Sequence, residues 1–567
     1  MHRFQSALAD AVAGAIEVPL EEVERLIKIP EATRGDFSLP CFPFAKAMRK
    51  NPAVIAADIA GRIAGTPGFE KIEAVGPYVN AAVSGAAIIE TVVPEAREKG
   101  EAFGCWEEGA GRIVVVESSS PNIAKPLGFH HLRSTMIGHS LARIHEAMGY
   151  RVVRLNFLGD WGKTFGLLAE AFTRFGDLDR LREEGIAYLL ELYVKANELL
   201  EEEPGFDEAA RAMFVRQEEG DPEALELWEL FREISLAEFD TIYGRLGVAF
   251  DAIEGESRYR DGMDEVVERV SATAGTREDQ GALVVDMEYG ENEPPMMLRK
   301  SDGATLYATR DLAAAIDRFE RFAFAKSVYV VGSEQRLHFE QLKRGLLAMG
   351  FDWATRMIHV QFGRIHGMST RKGKVVFLRD VLDEARDRAA AKMRETGVDQ
   401  SVDLDAVSEQ VGVGGVVFGD LKNLKTSDYT FDWDEILNTK GFTGICVQYA
   451  HARCCSILRR AGGVPDGADL GRLGAPEEAA LVKDIARIPS AIKAAAAEME
   501  PSRLARVVYE AARSWNRYQQ AGSSDRSLRI LAEDEETRAA RLVLVDAVRI
   551  ALGRGLYLLG VPSPESM

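Results

Sequence analysis

The sequence predicts an α/β protein: a Rossmann-like parallel sheet with a helical insertion, an N-terminal α+β domain and a C-terminal all-α bundle. Three observations predict this fold class. The chain has 567 residues, which at about 150 residues per domain indicates roughly three to four domains. Strand and helix patterns alternate from residue 112 onward, and from about residue 441 every pattern is helical.

The first domain is predicted to cover residues 1–108. Helical patterns and short strand patterns are mixed in this stretch, as in an α+β domain. The polar, glycine-containing stretch CWEEGAG at 105–111 is typical of a linker and marks the boundary.

The second domain, 109–376, carries the predicted parallel sheet. The apolar run 113–116 indicates a strand covered on both faces, and a helix at about 130–148 and a strand at 152–156 follow it. A strand–helix–strand unit of this kind implies a right-handed crossover between parallel strands. Further buried strands are predicted at 327–331 and 357–362, and the acid-rich, mostly helical stretch at about 170–300 is predicted to be an insertion.

A connecting stem region is predicted at 377–440, and a helical bundle at 441–567. The periodicity within the bundle predicts helices at 448–460, 477–497, 503–520 and 537–559.

Net charge and cysteine usage exclude several classes of protein. The chain carries 69 Lys and Arg against 89 Asp and Glu, a net charge of −20, so a globally basic nucleic-acid coat is excluded. A polyanionic partner would need local clusters of Lys and Arg. The five cysteines form no CxxC pair, so zinc and a disulfide framework are not expected. With neither a signal-peptide pattern nor an 18-residue apolar run, we expect a cytoplasmic protein without membrane contact.

Two glycine motifs and one histidine cluster are rejected as sites. Gly162-Lys163-Thr164 resembles the end of a P-loop, but Phe157 stands where the upstream glycine is required. The stretch GVGGVV at 412–417 lacks the third glycine of a dinucleotide fingerprint. No cysteine or carboxylate completes a metal set with the histidines at 130, 131 and 139, so no metal site is predicted.

The loop after the first sheet strand carries the strongest chemical signal. Residues 117–135 read ESSSPNIAKPLGFHHLRST. Ligands of open parallel sheets bind beyond the carboxyl ends of the strands, and phosphates favour helix N-termini. His130 and His131 stand at the predicted start of a helix, and Lys125 precedes them as a mobile cation. The loop therefore suits a nucleotide.

This segment resembles the signature region of arginyl-tRNA synthetases, class I aminoacyl-tRNA synthetases whose pattern is roughly SPNxAKPxHxGHLRST. The stretch NFLGDWGKTFG at 156–166 is similar to the NxxGDWG block of the same family. Matches recur in order along nearly the whole chain. The resemblance implies a class I catalytic domain at 109–376.

The first signature departs from the family pattern. The HxGH tetrad is replaced by Gly128-Phe129-His130-His131, so His131 keeps the last position and the first histidine is missing. In related enzymes both histidines stabilise the phosphates during adenylate formation. Two explanations remain open: His130 compensates from a shifted helix start, or the enzyme is slower.

The second signature of class I enzymes, KMSKS, matches the stretch IHGMSTRKGK at 365–374. Gly367 and Thr370 replace the two lysines. A basic loop of this kind after a strand suits a triphosphate, and the resemblance implies that Lys125 takes over the role of the missing second lysine. The catalytic residues implied around the phosphates are Lys125, His130, His131, Met368, Ser369, Arg371 and Lys372.

Selection of an amino acid with a guanidinium group requires carboxylates, which bind that planar cation through paired hydrogen bonds. Tyr307 and Asp311 are four residues apart and would share one face of a helix. The resemblance implies that both contact the arginine side chain together with Glu117, and that Asn122 and Gln335 hold the amino-acid backbone. Ser120, Asn156 and Asp160 match further substrate-binding positions.

The resemblance also implies contacts with transfer RNA. The stretch GICVQYAHAR at 444–453 resembles the entry to the family's helical anticodon-binding domain, where Tyr449 could stack on an unpaired base or belong to the core. The N-terminal domain resembles the module that contacts the tRNA elbow, and Asn80 is a candidate contact.

The implied reaction is the ATP-dependent ligation of L-arginine to the 3′ end of tRNA(Arg) through an arginyl-adenylate, with Mg²⁺ as the counter-ion of ATP. No tightly bound cofactor is expected, and the protein is expected to be a monomer. Two alternatives stay open from the sequence: another class I synthetase or nucleotidyl transferase, and a non-catalytic tRNA-binding paralogue.

Overall fold

The structure, a computed structural model, describes residues 1–30, 35–260, 263–285, 294–300, 307–367, 376–396 and 403–567. The parallel sheet with its surrounding helices, the N-terminal domain and the C-terminal helical domain are confirmed. No helix within these residues is long and apolar enough to cross a membrane.

The N-terminal part is an α+β unit around a three-stranded antiparallel sheet of order β1-β3-β2. Its elements are α1 His2–Ile16, α2 Leu20–Leu26, β1 Phe37–Pro40, α3 Ala45–Met48, α4 Pro52–Ile63, β2 Phe69–Val75, β3 Tyr78–Val83 and α5 Gly85–Lys99. Sequence chemistry sets the start of α4: the Asn51 side chain accepts a hydrogen bond from Ala53 N–H at 2.9 Å, and Pro52 occupies the first turn.

The central part is built on a five-stranded parallel sheet of order β11-β10-β4-β5-β6. The elements up to the sheet edge are β4 Ile113–Glu117, α6 His131–Ala147, β5 Arg151–Leu158, α7 Lys163–Phe175, α8 Leu178–Glu184, α9 Ile186–Glu202, α10 Phe206–Glu218, α11 Pro222–Leu246 and β6 Ala252–Gly255. They are followed by α12 Met263–Ala274, β7 Arg277–Asp279, β8 Ala282–Val285, β9 Met296–Arg299, α13 Tyr307–Phe322, β10 Lys326–Gly332, α14 Arg336–Ala348 and β11 Met357–Phe362.

The stretch predicted as a mostly helical insertion contains more strand than expected. The helices α7 to α11 end at Leu246, after which β6 joins the edge of the parallel sheet beside β5. The short strands β7, β8 and β9 then form a separate antiparallel sheet. The strand Ala252–Gly255 has only four residues and contains Glu254, so it lacks the apolar run by which the other sheet strands are recognised.

A connecting region and a helical bundle complete the chain. The connecting elements are β12 Ile365–His366, α15 Leu378–Thr396, α16 Leu404–Leu421, β13 Tyr429–Thr430 and α17 Trp433–Ile436. The bundle comprises α18 Gly444–Arg460, α19 Pro476–Ile485, α20 Ile488–Glu498, α21 Ser502–Ser524 and α22 Glu535–Leu558. The helix predicted at 477–497 is two helices, because Pro489 cannot continue the hydrogen bonding of α19 and instead sits in the first turn of α20.

The rejected dinucleotide motif lies inside the helix α16, where its glycines permit close packing. A Cβ atom on Gly412 would lie 2.5 Å from the backbone of Ala385 in α15, and one on Gly414 would lie 2.3 Å from the side chain of Gln448 in α18. These glycines therefore serve helix contacts and not a phosphate loop.

The sheet domain and the bundle are joined through α6, the helix that follows β4. Ser140 Oγ donates to the carbonyl oxygen of Leu558 at 2.9 Å, and the Arg143 guanidinium lies 4.2 Å from the ring of Tyr557. The helix that starts at the predicted nucleotide loop thus ends against α22.

Candidate active site at the carboxyl edge of the parallel sheet

The order of the strands places the candidate site. The chain runs from β4 to β5 and β6 on one side of the sheet, then returns to lay β10 and β11 on the other side of β4. The strand order therefore reverses between β4 and β10. In open parallel sheets the ligand crevice lies beyond the carboxyl ends of the strands at such a reversal, which is where the loop after Glu117 and the turn Ser333–Gln335 meet.

The loop after β4 is held in an unusual backbone conformation. Three non-glycine residues adopt left-handed conformations: Ser119 (φ 70°), Ser120 (φ 48°) and Ala124 (φ 65°). Their cost is offset by buried hydrogen bonds: Ser119 N–H donates to Ser134 Oγ at 3.0 Å, and Ala124 N–H donates to Ser235 Oγ at 2.7 Å. A strained but firmly held loop of this kind is typical of a pre-organised site.

Asn156 and Tyr243 form the floor under this loop. Asn156, which is fully buried, accepts a hydrogen bond from Ser120 N–H at 3.2 Å and donates one to the Tyr243 hydroxyl at 3.1 Å. The Tyr243 hydroxyl lies 2.7 Å from Ser119 Oγ. Because Asn156 is enclosed, it supports the loop, and its predicted contact with substrate stays a prediction.

The second signature half, around Gly159 and Asp160, faces the same loop. Asn122 is exposed and forms an isolated bridge with Gly159, and a Cβ atom at Gly159 would lie 2.0 Å from Asn122 Oδ1. The buried Asp160 carboxylate accepts hydrogen bonds from Ser257 N–H at 2.9 Å and from Ser257 Oγ at 2.8 Å. Asp160 therefore joins the ends of β5 and β6, while the side-chain oxygen of the exposed Asn122 lies against Gly159.

The two histidines of the altered first signature lie together at the start of α6. Their ring centroids are 4.0 Å apart, with His130 exposed and His131 half-buried. Burial and the neighbouring His130 lower the pKa of His131 to about 4, although the backbone contact with Gly128 acts to raise it, and burial lowers the pKa of His130. Both rings are therefore neutral near pH 7.

Gly128 holds the ring of His131 through its backbone. Nδ1 of His131 lies 3.0 Å from the Gly128 nitrogen and 3.2 Å from the Gly128 carbonyl oxygen. The ring is thereby fixed at the N-terminus of α6, where backbone N–H groups favour an anion.

Lys125 is held by the helical insertion. Its ammonium group lies 3.9 Å from the ring centroid of Tyr193 in α9. Burial raises the pKa of Tyr193, but hydrogen bonds from Lys125 and Asn197 outweigh burial, so the pKa is lowered overall. This cation–π contact fixes the position of the predicted phosphate-binding lysine.

Three carboxylates lie close enough to influence one another beyond the ends of β4 and β6. Glu117 forms an ion pair with Arg318 at 2.5 Å, and Glu256 forms one with Arg310 at 2.8 Å. Asp311 lies 2.6 Å from His338 Nε2.

Burial and shared charge raise the pKa values of two of these groups. Burial raises the pKa of Glu117 despite the attraction of Arg318, and the charge of Asp311 raises it further. Burial also raises the pKa of Glu256 to about 7, opposed by Arg310 and supported by Asp311 and Asp160. A cluster of carboxylates with shifted pKa values in a crevice is characteristic of a functional site.

The structure describes the remaining predicted residues to different extents. Gln335 is exposed at the end of the turn that follows β10. Tyr307 is the first residue of α13, one turn before Asp311, and its side chain lies outside the described part. The predicted phosphate-loop residues Met368, Ser369, Arg371 and Lys372 also lie outside the described residues.

The two predicted tRNA contacts are placed very differently. Tyr449 of α18 is 42% exposed and lines a groove of about 790 Å³ together with Arg453, Arg460 and Arg529. Asn80 of β3 is only 6% exposed, so little of its surface is available to a partner.

Four site residues escaped the sequence reasoning: Tyr193, Glu256, Arg318 and His338. Arg318 and Glu256 come from stretches without a recognisable motif, and the sheet order brings them to the site. The sequence could have indicated His338, because it stands three residues after Gln335 in the stretch GSEQRLHF that follows a predicted strand.

No group of three or more His, Cys, Asp or Glu side chains that could hold a metal ion occurs in the described part of the chain.

Family models match the chain in three consecutive blocks. Residues 2–83 match the arginyl tRNA synthetase N terminal domain, 100–433 the catalytic domain of "tRNA synthetases class I (R)", and 447–567 the DALR anticodon binding domain.

Similar proteins cover the whole chain. A curated protein from Halothermothrix orenii named arginine–tRNA ligase is 42% identical over 574 residues, which is 100% of both chains. One of the same name from Lactococcus lactis is 44% identical over 568 residues, covering 99% of this chain and 98% of its own. The solved arginyl-tRNA synthetase of Thermus thermophilus superposes with a TM-score of 0.84 at 26% identity, covering 99% of both chains.

The signatures at 128–131 and 365–374 are altered, but three family models match the chain in order and the relatives above match it over its full length. The chain belongs to the arginyl-tRNA synthetases.

Proposed function

We propose that this protein ligates L-arginine to the 3′ end of tRNA(Arg), using ATP and an arginyl-adenylate intermediate, for translation. The observation that carries the proposal is that the loop after β4 bears Lys125 and the neutral pair His130 and His131, while the Asp311 carboxylate lies near Glu117 at the end of β4. A binding site for a planar cation then lies beside a binding site for a nucleotide.

Arginine is selected by charge and by planar hydrogen bonding. Asp311 is paired with a histidine, whereas Glu117 and Glu256 are paired with arginines, and 25% of its side chain is accessible against 8% for Glu117. It is therefore placed to receive the guanidinium, with Tyr307 on the same helix beside it. Glu117, the second carboxylate proposed to contact the guanidinium, lies at the end of β4 and is paired with Arg318. Asn122, Ser120 and Gln335 hold the amino-acid backbone.

The first step joins the amino acid to the nucleotide. A carboxylate oxygen of arginine attacks the α-phosphorus of ATP, the bond to the β-phosphate breaks, and pyrophosphate leaves. Negative charge grows on the phosphoryl oxygens. Lys125 and His131 stabilise it, together with the loop residues Arg371 and Lys372.

Mg²⁺ enters as part of the substrate. It binds preferentially through the phosphates of a nucleotide and keeps several waters, so a protein cage is not required. When bound with ATP it neutralises the departing pyrophosphate.

The second step transfers the arginyl group. The terminal adenosine hydroxyl of the tRNA attacks the carbonyl carbon of the adenylate, its proton is released, and AMP leaves. Activation itself is proposed to require bound tRNA.

The flanking domains hold the tRNA. The bundle at 441–567 binds the anticodon, with Tyr449 stacking on an unpaired base and the arginines of its groove contacting phosphates. The domain at 1–108 contacts the tRNA elbow, with Asn80 as a candidate residue. The stem at 377–440 joins the catalytic domain to the bundle. A cytoplasmic location is proposed. The protein is also proposed to be a monomer, which sedimentation of the purified protein tests.

ATP–pyrophosphate exchange with and without tRNA(Arg) tests the function. We expect exchange with arginine, dependent on tRNA, and aminoacylation with arginine but not with lysine or citrulline. Binding of tRNA without exchange would identify a non-catalytic paralogue. Exchange with another amino acid would identify a different class I synthetase.

A further inference from the structure

Asp311, the carboxylate proposed to receive the substrate, is bonded to a histidine of another helix. Its Oδ2 atom lies 2.6 Å from Nε2 of His338, which belongs to the first turn of α14. The His338 side chain is 8% exposed and that of Asp311 is 25% exposed. The histidine therefore lies behind the carboxylate, and the carboxylate faces the crevice.

The ring of His338 is itself fixed by aromatic packing. It meets Phe339 edge-on at 5.3 Å, and Phe339 stacks on His359 of β11 at 4.5 Å. Phe339 also contacts Tyr329 of β10 at 5.1 Å. The donor to Asp311 is thus supported by the two strands that end at the crevice.

The partner of Asp311 differs in charge from the partners of the neighbouring carboxylates. Glu117 and Glu256 are paired with Arg318 and Arg310, which carry a positive charge at every physiological pH. A histidine can instead donate a hydrogen bond while neutral. Asp311 is therefore held in position by a hydrogen-bonding side chain and not by an arginine.

We propose that His338 is a positioning residue for arginine selection: its Nε2–H binds one oxygen of the Asp311 carboxylate and aims the other at the substrate guanidinium. The proposal rests on the proposed function and extends it, because none of the sequence motifs assigns a role to His338. A carboxylate fixed at one oxygen loses less conformational freedom when it binds a planar cation.

Two substitutions at His338 separate positioning from packing. His338→Leu removes the donor and keeps an apolar side chain, whereas His338→Gln returns an amide N–H at about the reach of Nε2. In tRNA-dependent ATP–pyrophosphate exchange, we expect His338→Leu to raise KM for arginine about tenfold, the ratio that corresponds to roughly one hydrogen bond. The values of kcat and of KM for ATP should change by less than about twofold, because the contact is made in ground state and transition state alike.

His338→Gln should restore KM for arginine to within about threefold of the original, as expected if donation by the side chain is what matters. His359→Leu is the matched control for lost packing, because His359 stacks on the same Phe339 without bonding Asp311. An equal rise in KM for arginine in His359→Leu and His338→Leu, or no rescue by glutamine, would overturn the positioning role.

Asp311→Asn distinguishes this inference from the proposed function. If Asp311→Asn raises KM for arginine and His338→Leu does not, the positioning role is wrong and the arginine site stands. If Asp311→Asn leaves KM for arginine unchanged, both the placement of the guanidinium at Asp311 and the role of His338 are wrong.

Discussion

Glu117 at the end of β4 and Arg318 in α13 form an ion pair of 2.5 Å inside the protein, with 8% and 2% of their side chains exposed. Removal of one partner from a buried pair leaves the other charge uncompensated, which costs about 3–5 kcal/mol. Arg318→Leu should therefore lower the free energy of unfolding in urea by that amount. The exposed, otherwise similar change Arg258→Leu should have an effect below about 0.5 kcal/mol, and an equal effect of the two would contradict the prediction.

Lys125→Met should slow adenylate formation without weakening arginine binding. Loss of one pre-organised cation from a phosphoryl-transfer site costs about 3 kcal/mol, which corresponds to roughly a hundredfold lower kcat. The measurement is ATP–pyrophosphate exchange in the presence of tRNA(Arg) with saturating substrates. Lys195→Met is the control, because Lys195 lies over the ring of Phe175 in the same insertion, 3.5 Å from its centroid, but outside the nucleotide loop. A normal rate for Lys125→Met would remove Lys125 from the mechanism.

The two histidines at the start of α6 should not be equivalent. The His131 ring is held by the Gly128 backbone, so His131→Ala should lower the activation rate by about a hundredfold, as expected for a lost partner of a developing oxyanion. His130→Ala tests whether the exposed neighbour compensates for the histidine missing at Gly128. An activation rate unchanged in His130→Ala would exclude compensation.

The buried Glu256 should make stability depend on pH in a defined window. Burial raises its pKa from 4.5 to about 7, with Arg310 opposing. Between these pH values the folded chain binds a proton that the unfolded chain has released, so the free energy of unfolding falls as pH rises from about 4.5 to 7, by at most about 3 kcal/mol. Urea unfolding of the original and of Glu256→Gln across this range isolates the effect. Parallel curves for the two proteins would contradict it.

Tyr449→Ala should weaken tRNA binding alone. A stacked base contributes about 1–3 kcal/mol, so KM for tRNA(Arg) should rise about tenfold or more while KM for arginine is unchanged. Phe175→Ala is the matched control, because Phe175 is 42% exposed like Tyr449 but lies in the helical insertion. A similar KM for tRNA in both variants would place the stacking contact elsewhere.

Local patterns predicted the elements that have local causes. The apolar run beginning at Ile113 gave β4, the strand predicted at 357–362 has the observed bounds Met357–Phe362, and α6 begins at His131, within one residue of its predicted start. Where the local signal was weak, prediction failed: β6 carries no apolar run, and the break at Pro489 was not anticipated.

The sequence by itself determined the family, the candidate nucleotide loop and the candidate carboxylates, because these depend on residue type and spacing along neighbouring stretches. Only the tertiary structure decided which side chains those carboxylates pair with, because the sheet order brings together elements that are distant in sequence. Arg318 is carried to Glu117, and His338 to Asp311. One carboxylate is thus paired with a buried arginine and the other with a histidine, and no spacing in the chain expresses that difference.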